Sequence, residues 1–269
     1  MKKIRNVFKW SLVAVGSLAL IYFSSMIIRE IRVVADNQEI TTQNFVVRYS
    51  GILESEGKDI SEALEANYDR IREELQDPKH DRISVYIHSS QEDFNKATGL
   101  INSKANGTSR GPLTFHLKYD TWYNSVFPQD MSKVAVHEFT HCVQLNILIQ
   151  DALSKTAQER LGDFDKAFEE KFQKKYPQWL WEALSDYEAG MVNKVSVKYG
   201  MKNRPTLQEL NNSNQIYTIG YTIIDYFVST YGKDKLGDFI KSYGDFDKVL
   251  GVSESDFEID WHTFTDKKY

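Results

Sequence analysis

The sequence predicts an α+β fold: an N-terminal α/β lobe with a small sheet, a C-terminal helical lobe, a cleft between them, and one transmembrane helix in front. Three observations carry this expectation. Strand-like alternation is confined to residues 44–130, the pattern turns helical from Met131 onward, and Ser11 to Ile28 contains no charged residue. At 269 residues, 41% of them hydrophobic, the chain can bury one substantial core or two small lobes that share a cleft.

The uncharged run SLVAVGSLALIYFSSMII (11–28) follows a basic segment, residues 1–10, that holds Lys2, Lys3, Arg5 and Lys9. As a helix it spans roughly 27 Å, close to the hydrocarbon thickness of a bilayer. Trp10 and Tyr22 are aromatic residues of the interfacial type. Ser24 and Ser25 suggest a removable signal, but Met26, Ile27 and Ile28 prolong the apolar run past them and favour a retained anchor. The basic end is expected to stay in the cytoplasm. The expected placement is the cell membrane, single-pass, with the N-terminus cytoplasmic and the remainder extracytoplasmic. Residues 29–43, polar and mixed, read as a stalk.

FVVRYS (45–50) and RISVYIHS (82–89) alternate and are β-branched, so they read as strands, and LTFHL (113–117) reads as a third, at an edge. Between the first two, Ile60, Ala63, Leu64, Tyr68, Ile71 and Leu75 form a helical stripe that Asp77-Pro78 ends. Ser90 caps a short helix, and a loop rich in Gly, Asn and Ser runs from Gly99 to Gly111. Beyond Asp130, helices are expected near 131–152, 156–175, 178–192, 206–212, 215–231, 233–243 and 253–265. The lobes are thus 44–130 and 131–269.

The first of these helices carries HEFTH. His137 and His141 are i and i+4, so both imidazoles share a face and can reach one ion. Glu138 points to one side of that pair, which suits a base for a metal-bound water. Alone, so short a pattern also fits two unrelated histidines on one helix. The segment PQWLWEALSDYEAG adds weight. Its Glu182 and Asp186 are again i and i+4, 41 residues after His141, in a helix whose Trp179, Leu180, Trp181, Ala183 and Leu184 imply burial. A buried carboxylate needs a partner. Glu182 is the candidate third ligand, and Asp186 the candidate acceptor for the N–H of a ligating histidine. A His/His/Glu site with an open position suits Zn2+.

HEFTH followed by WEALSD resembles the gluzincin metallopeptidases, and WLWEALSDYEAG is similar to the third-ligand helix of the small bacterial peptidase MA-like families, with Ala183 where those often have Gly. The resemblance spans about residues 44–265. It implies a zincin-like fold, His137, His141 and Glu182 as zinc ligands, and Glu138 as general base. It also implies an oxyanion donor downstream of the third ligand, for which Tyr217 and Tyr221 are candidates. Either of them also fits as a core tyrosine of an apolar helix. His88, His116 and His262 read as ordinary surface or core residues, and the single cysteine, Cys142, as a packed thiol.

The expected activity is zinc-dependent hydrolysis of a peptide or protein substrate, held in extended form along the 113–117 strand. The alternative is a membrane-anchored zinc- or peptide-binding ectodomain of the same fold without turnover. A net charge of −5 argues against nucleic acid as a partner.

Overall fold

The computed structural model describes residues 33–34, 37–78, 81–155 and 164–269. It is a mixed α/β structure with one five-stranded sheet and mostly helices. Strand β1 (Val33–Val34) pairs with β4 (Ile52–Leu53) apart from the main sheet. That sheet runs in the order β2 (Gln38–Thr41), β3 (Phe45–Tyr49), β5 (Ile83–His88), β7 (Thr114–Lys118), β6 (Gly107–Ser109). The three central strands are parallel and both outer strands antiparallel.

Alternation puts Phe45, Val47, Ile83, Val85, Phe115 and Leu117 on one buried face. Helix α1 (Glu54–Leu75) makes the crossover that parallel strands require and lays Ile60, Leu64, Tyr68, Ile71 and Leu75 on that face. It stops where Gln76 turns left-handed, just before Asp77-Pro78. Two short helices, α2 (Gln91–Thr98) and α3 (Thr121–Val126), complete the first part.

Helix α4 (Met131–Lys155) occupies the centre. Asp130 caps it by accepting the Lys133 backbone N–H. Phe139 on α4 meets Phe45 edge-on at 5.2 Å and stacks on Tyr68 at 5.6 Å, fixing the helix against sheet and α1 together. The rest of the chain is α5 (Phe164–Lys175), α6 (Gln178–Glu188), α7 (Lys194–Gly200), α8 (Leu207–Leu210), α9 (Ile216–Tyr231), α10 (Leu236–Lys241), α11 (Phe246–Leu250) and α12 (Glu254–Lys268). Helix α6 lies against α4 and α9. Gly220 lets α9 come close to α6, since a methyl group there would sit 3.1 Å from the Ala183 Cα.

Three expectations are corrected. No helix among the described residues is long and apolar enough to cross a membrane. The transmembrane helix, and the single-pass cell-membrane placement built on it, are therefore not features of this structure, and the 11–28 segment lies outside the described residues. Residues 38–41, read as stalk, form an edge strand on β3. The 113–117 strand is not an edge: it pairs with β5 on one side and β6 on the other. Alternation reveals which face is buried but not how many neighbours a strand has.

Candidate metal centre

Both histidines project from α4 on the side facing α6, with ring centroids 4.6 Å apart. Helix α6 supplies the opposing groups. Pro177 precedes it, and Trp179, Leu180, Ala183 and Leu184 bury its other faces, so Glu182, Ser185 and Asp186 turn together toward α4. One Glu182 carboxylate oxygen lies 3.3 Å from His137 Nε2 and 3.7 Å from His141 Nε2.

Each imidazole is braced from behind. His137 Nδ1 is 3.0 Å from an Asp186 carboxylate oxygen, an ion-pair contact off the axis of a linear hydrogen bond. His141 Nδ1 is 2.9 Å from Ser185 Oγ. Ser185 is held in turn by Gln144, whose amide donates to Ser185 Oγ (3.1 Å) and to the Trp181 carbonyl (3.0 Å). The Tyr176 hydroxyl donates to the other end of Gln144 at 2.9 Å. The Trp181 ring stacks on His141 at 4.0 Å, nearly parallel. A carboxylate behind His137 and a hydroxyl behind His141 both suit a proton on Nδ1, the arrangement that turns each Nε2 toward Glu182.

Three electron-pair donors aimed at one point repel unless a cation or proton lies between them. The same contacts set the direction in which each group's pKa is displaced. Burial opposes a charge on His137, but its contacts with Asp186 and Glu182 outweigh burial and raise its pKa to about 10. Burial likewise pushes Glu182 up, yet the two histidines hold it well below the usual carboxylate range. Burial depresses His141 to about 4, against the pull of Glu182.

Glu138 sits beside this point. Burial drives its carboxyl up to about 8, with the charge of His137 opposing. Its Oε2 is buried and has no hydrogen-bond partner. Ligand atoms of His137, Glu138 and His141 lie within 4.8 Å of one another, and this buried group could hold a metal ion. The unsatisfied Glu138 oxygen and the converging nitrogens both fit such an ion with its water.

The centre opens into a cleft of about 640 Å3. Strand β6 forms one wall, and Met191, Asn214 and Tyr217 stand among the residues of the others. Gly107 on β6 touches Glu138 so closely that a methyl group there would come within 2.6 Å of its Cγ. Of the two candidate tyrosines, Tyr217 faces the cleft, half-exposed and beside Glu182, where burial and that carboxylate's charge raise its phenol. Tyr221 lies one turn on and packs against Tyr187, ring centroids 5.2 Å apart, away from the centre.

No protein-family model matches the chain, and the search of curated proteins found no match.

Among the described residues, the other histidines stand apart from the centre. His262 donates to the Pro205 carbonyl, and His88 and His116 share a hydrogen bond of 2.9 Å. Cys142 is buried, its Sγ facing the Thr114 carbonyl at 3.9 Å. The residues that sequence reasoning did not find are Ser185, Gln144, Tyr176 and Gly107. Gln144 and Ser185 had one signal: they fall one turn past His141 and Glu182 respectively, on the same helix faces.

Proposed function

We propose that the protein is a zinc-dependent peptidase of the gluzincin type. The observation that carries this reading is the convergence of His137, His141 and Glu182 on one point, with a buried, unpartnered Glu138 oxygen next to it. Two imidazoles and one carboxylate with room left for water is a donor set suited to zinc. Bound there, zinc supplies a Lewis acid and a water of lowered pKa.

The protein groups then divide the work. Asp186 and Ser185 hold the two imidazoles in the tautomer that ligates. Glu138 accepts the proton of the attacking water and returns it to the leaving amine. Tyr217, on the opposite wall of the cleft, is the donor available to a developing oxyanion, and Tyr221 is not. The peptide backbone lies along β6, the edge strand whose residues line the cleft, rather than along the 113–117 strand behind it.

The test uses purified protein, an unstructured fluorogenic peptide and metal analysis. The wild type should cleave, lose activity to a chelator and regain it with zinc. Glu138→Gln should lower turnover by at least about 10²-fold while still binding one equivalent of zinc. Undiminished turnover by that variant would sink the assignment.

A further inference from the structure

Helix α7 prolongs one wall of the cleft outward. Met191, which lines the cleft, lies three residues before its start. Its far end is tied to the beginning of α9: Gln215 donates to the Gly200 carbonyl, and Gly200 packs against Thr218 and Ile219, just after the cleft-lining Asn214 and Tyr217. The surface between these ties is apolar and exposed. Val192 is 38% exposed, Val195 67%, Tyr199 64% and Tyr217 53%. Val195 and Tyr199 are i and i+4 and share one face of α7.

Beside them runs a row of cations. Lys194, Lys198 and Lys202 are all exposed and recur every four residues. The Lys202 ammonium lies over the Tyr199 ring at 4.4 Å. Among the described residues, no carboxylate forms an ion pair with any of the three. On a chain of net charge −5, three lysines thus line up next to the exposed apolar side chains that lead from the mouth of the centre, Lys194 also lying 5.9 Å from the Tyr269 ring.

We propose that α7 is an exosite that holds an acidic, apolar stretch of the polypeptide substrate outside the cleft, an inference that rests on the peptidase reading. The spacing specifies the ligand further. Lys194 and Lys198 are separated by about 6 Å of helix rise, the length of about two residues of extended chain. Side chains two apart in an extended peptide point the same way, so carboxylates at alternate positions meet both lysines. Val195 and Tyr199, on the neighbouring face, receive an adjoining aliphatic or aromatic side chain.

The experiment has a binding arm and a cleavage arm. In the first, full-length protein carrying Glu138→Gln is titrated with a fluorescein-labelled peptide having Asp at alternate positions and a Leu-Phe pair. Lys194→Glu/Lys198→Glu should weaken binding at least tenfold and remove most of its salt dependence. Val195→Ser/Tyr199→Ser should weaken it with the salt dependence kept. In the second arm, adding the same acidic segment to a cleavable peptide should lower KM in the otherwise wild-type protein without changing kcat. The lysine variant should lose that advantage and still cleave the unextended peptide. Affinity for the acidic peptide that survives charge reversal overturns the proposal. So does charge reversal that abolishes binding to equimolar phosphatidylglycerol–phosphatidylcholine vesicles but spares the peptide. Lysine-dependent binding of the acidic peptide with no cleavage of any peptide supports the surface and removes the peptidase reading.

Discussion

Replacing Gly107 by alanine tests whether the position of Glu138 matters to the chemistry. The backbone of Gly107 is not in the left-handed region, so alanine strains nothing by itself. The added methyl group, however, would stand 2.5 Å from Glu138 Oε1, 2.6 Å from Cγ and 2.8 Å from Cδ. Ordinary carbon contacts begin near 3.5 Å, so the carboxylate must retreat by roughly 1 Å. A misplacement of that size costs on the order of 10²-fold in rate, about 2.7 kcal/mol of barrier. The three atoms nearest that methyl group all belong to Glu138, so the displacement falls first on Glu138 and zinc content should stay at one equivalent. The assay is kcat/KM on a fluorogenic peptide, alongside metal analysis and a thermal melt. Wild-type kcat/KM in a folded, zinc-loaded Gly107→Ala protein would refute the reasoning, because Glu138 would then tolerate a displacement that a proton-transfer group cannot.

Tyr217→Phe should lower kcat by about 10²-fold, whereas Tyr221→Phe should change it less than twofold; equal effects would disprove the assignment of the cleft tyrosine. Gln144→Leu strands the Tyr176 hydroxyl in the interior and removes the amide that donates to Ser185 Oγ, and should cost about 1–3 kcal/mol in urea unfolding with weaker zinc affinity; an unchanged midpoint speaks against the network. Burial holds His88 and His116 below the ordinary histidine value, His116 down to about 4, with the charges of His88 and Arg110 adding to its shift. The unfolded chain therefore takes up these protons first, so the stability is present above about pH 6.5 and is lost as pH falls toward about 4. A His88→Asn/His116→Asn variant should flatten that slope between pH 7 and pH 5, and a slope unchanged in the variant counts against it.

The parts of this architecture that sequence exposes are those with a repeating physical signal. Phe45–Tyr49, Ile83–His88 and Thr114–Lys118 alternate because one face of the sheet is dry. His137 and His141, and separately Glu182 and Asp186, are legible because a helix brings i and i+4 together. The wall of the cleft was not legible. Gly107, Thr108 and Ser109 have no apolar pattern, are only three residues long and lie in a stretch whose composition reads as loop. They become a strand only because β7 offers them a partner. Gln144, Ser185 and Tyr176 are ordinary polar residues until the elements that carry them meet; helix spacing hints at the first two, and no local rule marks Tyr176. The short helices α7 and α11 lack a long enough stripe to be recognised, and α7 is the surface that carries the cationic row.

Helix α6 contributes Glu182, Ser185 and Asp186, while α4 contributes both histidines and Glu138. The centre is therefore assembled from two rigid bodies, not from six independent side chains. Sliding one helix along the other by a single turn would withdraw the carboxylate and both imidazole braces in one movement. A metal ion held there would be gripped or released as by a latch, as a whole, at the seam between two helices.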